Sequence, residues 1–535
     1  MKLRSVAAAA LTALALGSAG PAAPADSPAL RVGITAEPNS LNPIFALNDY
    51  ETFVDRFLFD VLIAVDSDGR TLVPRLAAVV PSLQNGGISR DGKTIVYHLR
   101  HNLHWSDGAP LTSHDVKFSF AAMLNPANNV PNRHGYDLVT GVDTPDAVTV
   151  VVHLKAPYAP ALTGLMSEET PGGILPAHLL ERYPDLNHVD FNHAPVGSGP
   201  YKLLRWDHGQ SVELVRNDGY FAGRPKLERI SIRFIPDENT AVNQMRTHEL
   251  DVFADASVNA YGQLKSVPGV DTALVDIHGA SNLLINQTRP QFRDVRVRRA
   301  IAHAIDKEAI VRRFTFGAGT PATEDLPSFM WAYEPNVQRY AYDPARARAL
   351  LREAGWQPGP EGIVLKAGRP LTAVLAFSSN NVTARLVGVQ IQGYLRAIGI
   401  DVQLKGYNNA MLYAGYGAGG VYQNGNFDLA WYTMTLGVDP DSSGRFMCDA
   451  IPPGGQNYSR YCNSQMNVAQ EAGLATYDRA ARKRAYSVSQ KLLARDVPIV
   501  FVFWPKDVEA YTPRLHGFAP NPLTPSWNAG SWELR

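Results

Sequence analysis

Stretches in which apolar and polar residues alternate, as in strands, interleave along this chain with stretches of helical periodicity, and this order restricts the possible fold. Residues 30–34 and 400–404 alternate as strands. Asp343 and Pro344 form a helix start, and Gly355 ends that helix. Strands that alternate with helices build sheets covered by helices. The sequence therefore predicts an α/β architecture.

The chain has 535 residues, and this length requires more than one hydrophobic core, because domains commonly hold about 100 to 200 residues. Neither a repeat nor a low-complexity linker separates the helix and strand patterns. We therefore expect two or three lobes that are joined by short crossing strands.

The charges of the chain balance: there are 50 Lys and Arg residues and 50 Asp and Glu residues, so the formal net charge is zero. A nucleic-acid partner would require a basic surplus to neutralise phosphates, so we expect none. Hydrophobic residues make up 45% and charged residues 19% of the chain, which is typical of packed globular proteins and excludes a disordered one.

The N-terminus has the pattern of a secretory signal peptide. Lys2 and Arg4 precede an apolar run over residues 6–16, and small residues then lead to an A-x-A site at 23–25. The run is shorter than the roughly 20 residues that span a bilayer, and the alternative of a retained helix conflicts with the prolines that follow. We expect residues 1–25 to be removed and the mature chain to begin at Asp26.

Cys448 and Cys462 are the two cysteines of the chain, and neither lies near the cleavage site, where a lipid could be attached. The sequence therefore predicts a soluble periplasmic protein that is not a lipoprotein. In an oxidising compartment these cysteines favour a disulfide. The alternatives are two reduced, buried thiols or a metal site, which would lack further ligands.

A search for catalytic motifs finds no G-x-S-x-G elbow, no H-E-x-x-H and no Walker loop. Residues 415–420 satisfy G-x-G-x-x-G, but no clear strand precedes them, so we predict a loop and no dinucleotide site. The 14 histidines are scattered and form no predicted metal site. The sequence thus predicts no catalytic residue, metal or cofactor, and the alternative of a secreted hydrolase lacks a visible nucleophile and base.

Several long segments together are similar to a family signature. These segments are Ser89 to Lys93 with His104 to Ser119, Pro195 to Tyr201, Glu249 to Val252, Arg296 to Asp306 and Tyr342 to Trp356. They resemble the extracytoplasmic solute-binding proteins of peptide-type ABC importers, which include oligopeptide-, dipeptide- and nickel-binding proteins and are called solute-binding protein family 5. The similarity runs from Arg31 to the C-terminus in the family's order.

The resemblance implies a hinged, two-lobed periplasmic binding protein fold with a large lobe, an extra subdomain and a smaller lobe. It places lobe I at 26–280, with an inserted subdomain at about 61–190, lobe II at 281–500 and a return segment of lobe I at 501–535. The implied function is capture of a peptide or peptide-like solute by a monomer that delivers it to ABC permease subunits. A sugar, an opine or a metal chelate stays open as the ligand.

The family carries a ligand-anchoring acid in a segment like W-x-x-D-Y-x-D-P, which resembles residues 431–441 here. Counting back from Pro440 places Leu436 at the position of that acid, so the anchor is missing there. Either Asp439 or Asp441 substitutes for it, or Asp439 forms a turn before the proline.

The resemblance places two loops near the cleft between the lobes. From lobe II we expect Trp431, Tyr432 and Asp439 to contact the ligand, and from lobe I Asp49 and Tyr50. Aromatic rings supply flat apolar surface and a donor, whereas a carboxylate can hold an amino group. The alternative for the tryptophan is that it packs in the core from the strand in which it lies.

Overall fold

A computed structural model describes residues 29–169 and 172–535 of the chain. The predicted signal peptide, residues 1–25, lies outside these described residues. Within them, no helix is both long enough and apolar enough to cross a membrane.

The strands and helices of the described residues follow one another in the interleaved order that the sequence predicts. The strands are β1 (Leu30–Ile34), β2 (Ile63–Val65), β3 (Leu72–Pro74), β4 (Thr94–His98), β5 (Val139–Asp146), β6 (Thr149–Leu154), β7 (Tyr201–Asp207), β8 (Ser211–Arg216), β9 (Arg229–Phe234), β10 (Val252–Phe253), β11 (Asp271–Asp276), β12 (Gly279–Ile285), β13 (Gly319–Pro321), β14 (Gln357–Pro358), β15 (Val364–Lys366), β16 (Arg369–Pro370), β17 (Thr372–Ser378), β18 (Asp401–Tyr407), β19 (Leu429–Thr435), β20 (Ile499–Tyr511), β21 (Leu515–His516) and β22 (Glu533–Leu534). The α-helices are α1 (Asp49–Leu58), α2 (Ser113–Leu124), α3 (Ala161–Gly164), α4 (Ala177–Leu180), α5 (Glu238–Arg246), α6 (Val258–Leu264), α7 (Val295–Ala304), α8 (Lys307–Phe314), α9 (Pro344–Glu353), α10 (Val382–Ala397), α11 (Asn409–Tyr413), α12 (Val421–Asn424), α13 (Ser443–Phe446), α14 (Ser464–Leu474) and α15 (Arg479–Asp496).

The main sheet contains strands from both halves of the chain. Its order is β18-β17-β19-β12-β20-β10-β1-β9-β8-β7, and β11 and β13 also pair with β20. Strand β1 runs parallel to β9 and β10, whereas β20 is antiparallel to its neighbours. The predicted α/β class is thus confirmed.

Strand β20 passes from one group of strands to the other. Residues 499–503 pair with β12, and residues 506–511 pair with β11. We call the group around β1, β7–β11 and the end of β20 lobe I, and the group around β12, β17–β19 and the start of β20 lobe II. Each lobe packs its own buried apolar clusters, which agrees with the predicted two-lobed fold.

The chain changes lobes between β11 and β12 and again within β20. The first change lies at residues 277–278, and the second lies between residues 503 and 506. The predicted boundaries at 280 and 501, and the inserted subdomain at about 61–190, stay predictions. A separate sheet of order β4-β6-β5 lies in that subdomain range.

Local capping signals place the helices where the sequence predicts them. Thr112 caps α2, and its backbone N–H donates to the Asp115 carboxylate at 2.8 Å. The Asp343 side chain accepts from the backbone N–H of Arg346 at the start of α9. The termini of these helices are therefore fixed by residues that the sequence shows directly.

Cys448 and Cys462 form a disulfide, as the sequence predicts. Replacing both by serine should lower the free energy of unfolding by about 3 kcal/mol, because the bridge closes a loop with a sequence separation of 14 and restricts the unfolded chain. Urea unfolding of the double variant measures this loss. Two reactive thiols in the denatured, unreduced parent protein would contradict the bridge.

Candidate functional site

A cavity of about 450 Å³ lies where the two lobes meet. Lobe I contributes the start of α1, the two residues after β10, the end of β20 and the segment 521–525. Lobe II contributes residues 435–437, and the crossing residues 277–278 close the wall between them. Both lobes and the connection between them therefore build a single compartment.

The start of α1 is held in place by the carboxylate of Glu51. Its Oε2 accepts the backbone N–H groups of Leu47 at 2.6 Å and Asn48 at 3.1 Å, at the N-terminus of the helix. This arrangement places Asp49 and Tyr50 on the cavity wall. The Asn48 side chain also donates to the Tyr50 hydroxyl at 2.8 Å, which fixes the ring.

The end of β20 adds two more carboxylates through strand alternation. Val508 and Ala510 pack in the apolar core of lobe I, so Asp507 and Glu509 face the cavity from the opposite side of the strand. Asp255 follows β10 with a φ of 55°, and its backbone N–H donates to Glu509 Oε2 at 3.1 Å.

We call Asp49, Asp255, Asp507 and Glu509 the acidic quartet. Asp49 and Asp255 are exposed to the cavity, whereas Glu509 is 2% exposed within its wall. Among the described residues that line the cavity, none is a lysine or an arginine. The quartet therefore concentrates negative charge without a neighbouring cation in the cavity wall.

The surroundings of the quartet oppose its ionisation. Burial raises the pKa of Asp255, and the nearby charges of Asp49 and Glu238 raise it further. Burial and the charge of Asp255 raise the pKa values of Asp507 and Glu509 well above their ordinary range. Burial also raises the pKa of Asp49. Its side chain borders the cavity, but protein surrounds it on the other sides. Ionisation of the quartet is therefore disfavoured.

Glu168 and Glu169 form another acidic part of the wall. The Glu168 carboxylate accepts hydrogen bonds from the backbone N–H of Val65 at 2.7 Å and from the side-chain amide of Asn521 at 3.1 Å. Glu169 Oε2 accepts the backbone N–H of Val438 at 3.3 Å across the two lobes. Burial raises the pKa of Glu169 to about 7. This carboxylate is thus a contact between the lobes as well as part of the cavity wall.

His278 lies on the crossing between β11 and β12 and lines the cavity. Its Nε2 lies 2.6 Å from the carbonyl oxygen of Gly69, whereas its Nδ1 is buried without a hydrogen-bond partner. Burial lowers the pKa of the imidazole to about 4. The ring is therefore neutral at neutral pH, donates from Nε2 and keeps Nδ1 as an acceptor.

The structure separates the five ligand-contact residues that the sequence singles out. Asp49 and Tyr50 line the cavity. Trp431 is 6% exposed, and its ring packs 5.9 Å from that of Phe503 in the core of lobe II. Tyr432 joins an aromatic cluster, with its ring 5.5 Å from that of Tyr422. Trp431 and Tyr432 thus lie outside the cavity lining.

Asp439 is paired inside the protein, where its Oδ1 lies 2.6 Å from Arg482 Nη2. It lines a second cavity of about 530 Å³, together with Arg70, Arg479 and Trp331. Leu436, at the position of the family's anchoring acid, lines the first cavity. The ligand role of Asp439 stays a prediction. Its carboxylate already has a partner inside the protein, the guanidinium of Arg482.

The two cavities adjoin at one point of lobe II. Gly437 lines the first cavity and Val438 lines the second, so the contact between Glu169 and Val438 lies where they meet. In the second cavity the guanidinium of Arg479 lies 4.9 Å from the centre of the Trp331 ring. The second cavity thus differs from the first in containing arginines, of which Arg70 and Arg482 pair with the aspartates that line it.

Sequence reasoning missed the acidic residues contributed by β20 and by the turn after β10. Asp507 and Glu509 alternate with Val508 and Ala510. This pattern predicts a strand with one apolar face and one charged face, and it was the signal that could have identified the two acids. Asp255 carried no such signal, because its position depends on pairing between distant strands.

Within the described residues, no group of three or more His, Cys, Asp or Glu side chains could hold a metal ion.

Known proteins match this chain along most of its length. The profile of bacterial extracellular solute-binding proteins, family 5 Middle, matches residues 71–449. The oligopeptide-binding protein AppA of Bacillus subtilis is 27% identical over 516 residues, which cover 94% of this chain and 91% of that protein. The glutathione-binding protein GsiB of Salmonella paratyphi A is 29% identical over 434 residues, 81% of each chain. The structure of NikZ from Campylobacter jejuni in complex with Ni(L-His) gives a TM-score of 0.78 at 25% identity and covers 94% of this chain and 99% of that chain.

Proposed function

Because the chain belongs to the bacterial extracellular solute-binding proteins of family 5, we propose that it is the substrate-binding component of an ABC importer. In this proposal it captures a peptide or peptide-like solute between its lobes and delivers it to the membrane permease. The names of two relatives support this ligand class, since one is an oligopeptide-binding protein and the other a glutathione-binding protein.

The observation that carries the proposal is the cavity that both lobes build. Its volume of about 450 Å³ lies within the range of sites for small ligands. The contacts of His278 with Gly69 and of Glu169 with Val438 hold its walls together. In this proposal the lobes move apart to admit a solute, and closure about a hinge then encloses it.

The same proposal includes export and a monomeric state. Residues 1–25 would be removed on export to the periplasm. The two cysteines are joined to each other, so the mature chain would carry no lipid on a cysteine. N-terminal sequencing of the exported protein tests the cleavage, and an intact Met1 would overturn it.

We expect the mature protein to bind short peptides and to release them intact, since the proposal assigns it no catalytic residue. Native mass spectrometry of the purified protein with a peptide mixture should show one-to-one complexes. Mass spectrometry of the same mixture after prolonged incubation should show no shortened peptides. Time-dependent cleavage of the peptides that copurifies with the protein would contradict the receptor function and indicate a hydrolase.

A further inference from the structure

We propose that His193 and His208, which pack against Trp206 in lobe I, form a binding site for one late divalent transition-metal ion: Cu²⁺, Ni²⁺ or Zn²⁺. None of these three residues lines either cavity between the lobes. The site is therefore separate from the compartment that the proposed function assigns to the solute, and it adds a second binding activity to the chain.

The two imidazoles come together because separate segments of lobe I meet at the end of β7. His193 follows a short 3-10 helix over residues 190–192, whereas His208 lies in the turn between β7 and β8. The centre of the Trp206 ring lies 5.5 Å from that of His193 and 4.4 Å from that of His208. The imidazole centres are 5.9 Å apart, and their planes make an angle of 70°. Since a metal–imidazole bond is about 2.0 to 2.1 Å long, rings at this separation can bind one ion from two sides.

The carboxylate of Glu37, in the loop after β1, orients the ring of His208. Its Oε1 lies 3.0 Å from Nδ1 of His208 and accepts the indole N–H of Trp206 at 2.9 Å. Its Oε2 accepts the backbone N–H of Gly209 at 2.9 Å. Because a carboxylate only accepts hydrogen bonds, Nδ1 of His208 carries the proton and Nε2 presents its lone pair. Metal-binding histidines characteristically donate their other N–H to a carboxylate in this way.

Both imidazoles are accessible to an ion from solvent. The side chain of His208 is 65% exposed, and His193 is exposed as well. His193 also lines a pocket of about 280 Å³ together with His188, which leaves room for water molecules that complete the coordination. The charge of Arg205, the cation next to Trp206 in the sequence, is balanced by Asp207 at 2.7 Å.

The kind and number of these ligands select the ion. Imidazole suits Cu²⁺, Ni²⁺ and Zn²⁺, whereas Ca²⁺ and Mg²⁺ prefer oxygen ligands. Two protein nitrogens leave the other positions to water, as in open metal sites. A two-histidine site is also compatible with the described residues, which contain no metal-binding group of three or more His, Cys, Asp or Glu side chains. The sequence predicts no such site, because only the fold brings the two histidines together.

Calorimetric titration of the tag-free protein with CuCl₂, NiCl₂ and ZnCl₂ tests the site. We expect one equivalent of metal to bind, most tightly Cu²⁺. His193→Gln and His208→Gln should each lower the Cu²⁺ affinity by more than about 10-fold, since the loss of a mere partner of a metal ligand already costs about 10- to 100-fold. Glu37→Gln should fall within that range.

The matched control is His114→Gln. His114 is an exposed histidine on α2, and its Nε2 lies 2.9 Å from the Glu181 carboxylate, so it resembles His208 in having a carboxylate partner. We expect this variant to bind Cu²⁺ as the parent does. An equal loss of affinity in His114→Gln would overturn the assignment of the metal to His193 and His208.

Two spectroscopic measurements locate the ion. Electron paramagnetic resonance of the Cu²⁺ complex should show coupling to two imidazole nitrogens in the parent and to one in His193→Gln. Bound Cu²⁺ should also quench the fluorescence of Trp206, because the indole packs against both imidazoles. Trp206→Phe should lose that part of the quenching while it still binds the metal.

The proposal fails if the parent binds no stoichiometric Cu²⁺, or if His193→Gln and His208→Gln bind Cu²⁺ as tightly as the parent. Thermal melting shows whether the variants fold. Should His208→Gln unfold, the affinity and the nitrogen count of His193→Gln decide alone, and parental values would overturn the site. Peptide binding is measured separately by native mass spectrometry, so a failure of the metal site leaves the proposed receptor function standing, and the reverse.

Discussion

Replacing Asp439 by alanine is expected to lower the free energy of unfolding by about 3 to 5 kcal/mol, because the change leaves a buried guanidinium unpaired. Asp439 Oδ1 and Arg482 Nη2 lie 2.6 Å apart, and the two side chains are only 7% and 8% exposed. The Arg482 guanidinium also donates to the backbone carbonyl of Gly473 and to the hydroxyl of Tyr486. Its position is therefore fixed, so it cannot turn to solvent when the carboxylate is removed.

The pKa values of both members of this pair are raised, and the two shifts have opposite effects on charge. Burial raises the pKa of Asp439, which disfavours its charge, whereas the charge of Asp439 raises the pKa of Arg482 in spite of burial. The contact distance and the permanent charge of a guanidinium decide for the ionised pair. The carboxylate is thus an internal counterion of Arg482.

Urea unfolding of Asp439→Ala measures the expected loss, and Asp401→Ala is the control. Asp401 pairs with Arg396 at 3.3 Å on the surface, where both side chains are about half exposed, so its removal should cost less than about 1 kcal/mol. Equal losses in the two variants would contradict the structural role of the buried pair. A loss of ligand affinity at unchanged stability would instead support the predicted ligand role of Asp439.

Gly197→Ala is the second change for which we expect a large effect, a loss of at least about 3 kcal/mol in the free energy of unfolding. A Cβ atom at this position would lie 1.9 Å from the backbone oxygen of Leu58, and a backbone group cannot move aside as a side chain can. Leu58 ends α1, and its oxygen also accepts the backbone N–H of Gly199 at 2.8 Å. The substitution therefore forces apart two packed segments of lobe I.

The control for this prediction is Gly141→Ala. Gly141 lies in β5 without a positive φ, and a Cβ atom there would meet nothing within 4 Å. Its stability should stay within about 0.5 kcal/mol of the parent. Thermal unfolding of both variants tests the prediction. If Gly197→Ala is as stable as the parent, the backbone at Leu58 can move away from residue 197 at little cost, which would contradict the prediction.

The sequence predicts those parts of the fold that depend on neighbouring residues. Thr112 with Asp115 and Asp343 with Pro344 mark helix starts at the observed positions, because caps act within one turn. The disulfide follows from two cysteines in a chain whose N-terminus has the pattern of a signal peptide. The family resemblance, confirmed by the matches to known proteins, supplies the two-lobed arrangement that local signals could not.

The candidate site is predicted less well, because distant segments build it. Asp49 and Tyr50 line the cavity, and their ligand role stays a prediction. Trp431 resembles a binding residue by its chemistry, yet strand alternation in β19 turns it into the core. Asp255 and Asp507 are about 250 positions apart in the sequence. Only the pairing of β10 and β11 with β20 brings them together.

The place of β20 in the sheet affects how the chain is completed during synthesis. Strand β11 pairs with β20, and β10 and β12 each lack one neighbour until β20 arrives. Because β20 begins at Ile499, after every other described strand of the main sheet, lobe I stays an open sheet with unpaired edges until all of those strands have been made. Such long-range pairing delays folding. The strand that completes the pairing of both lobes is therefore made after all the strands that it joins.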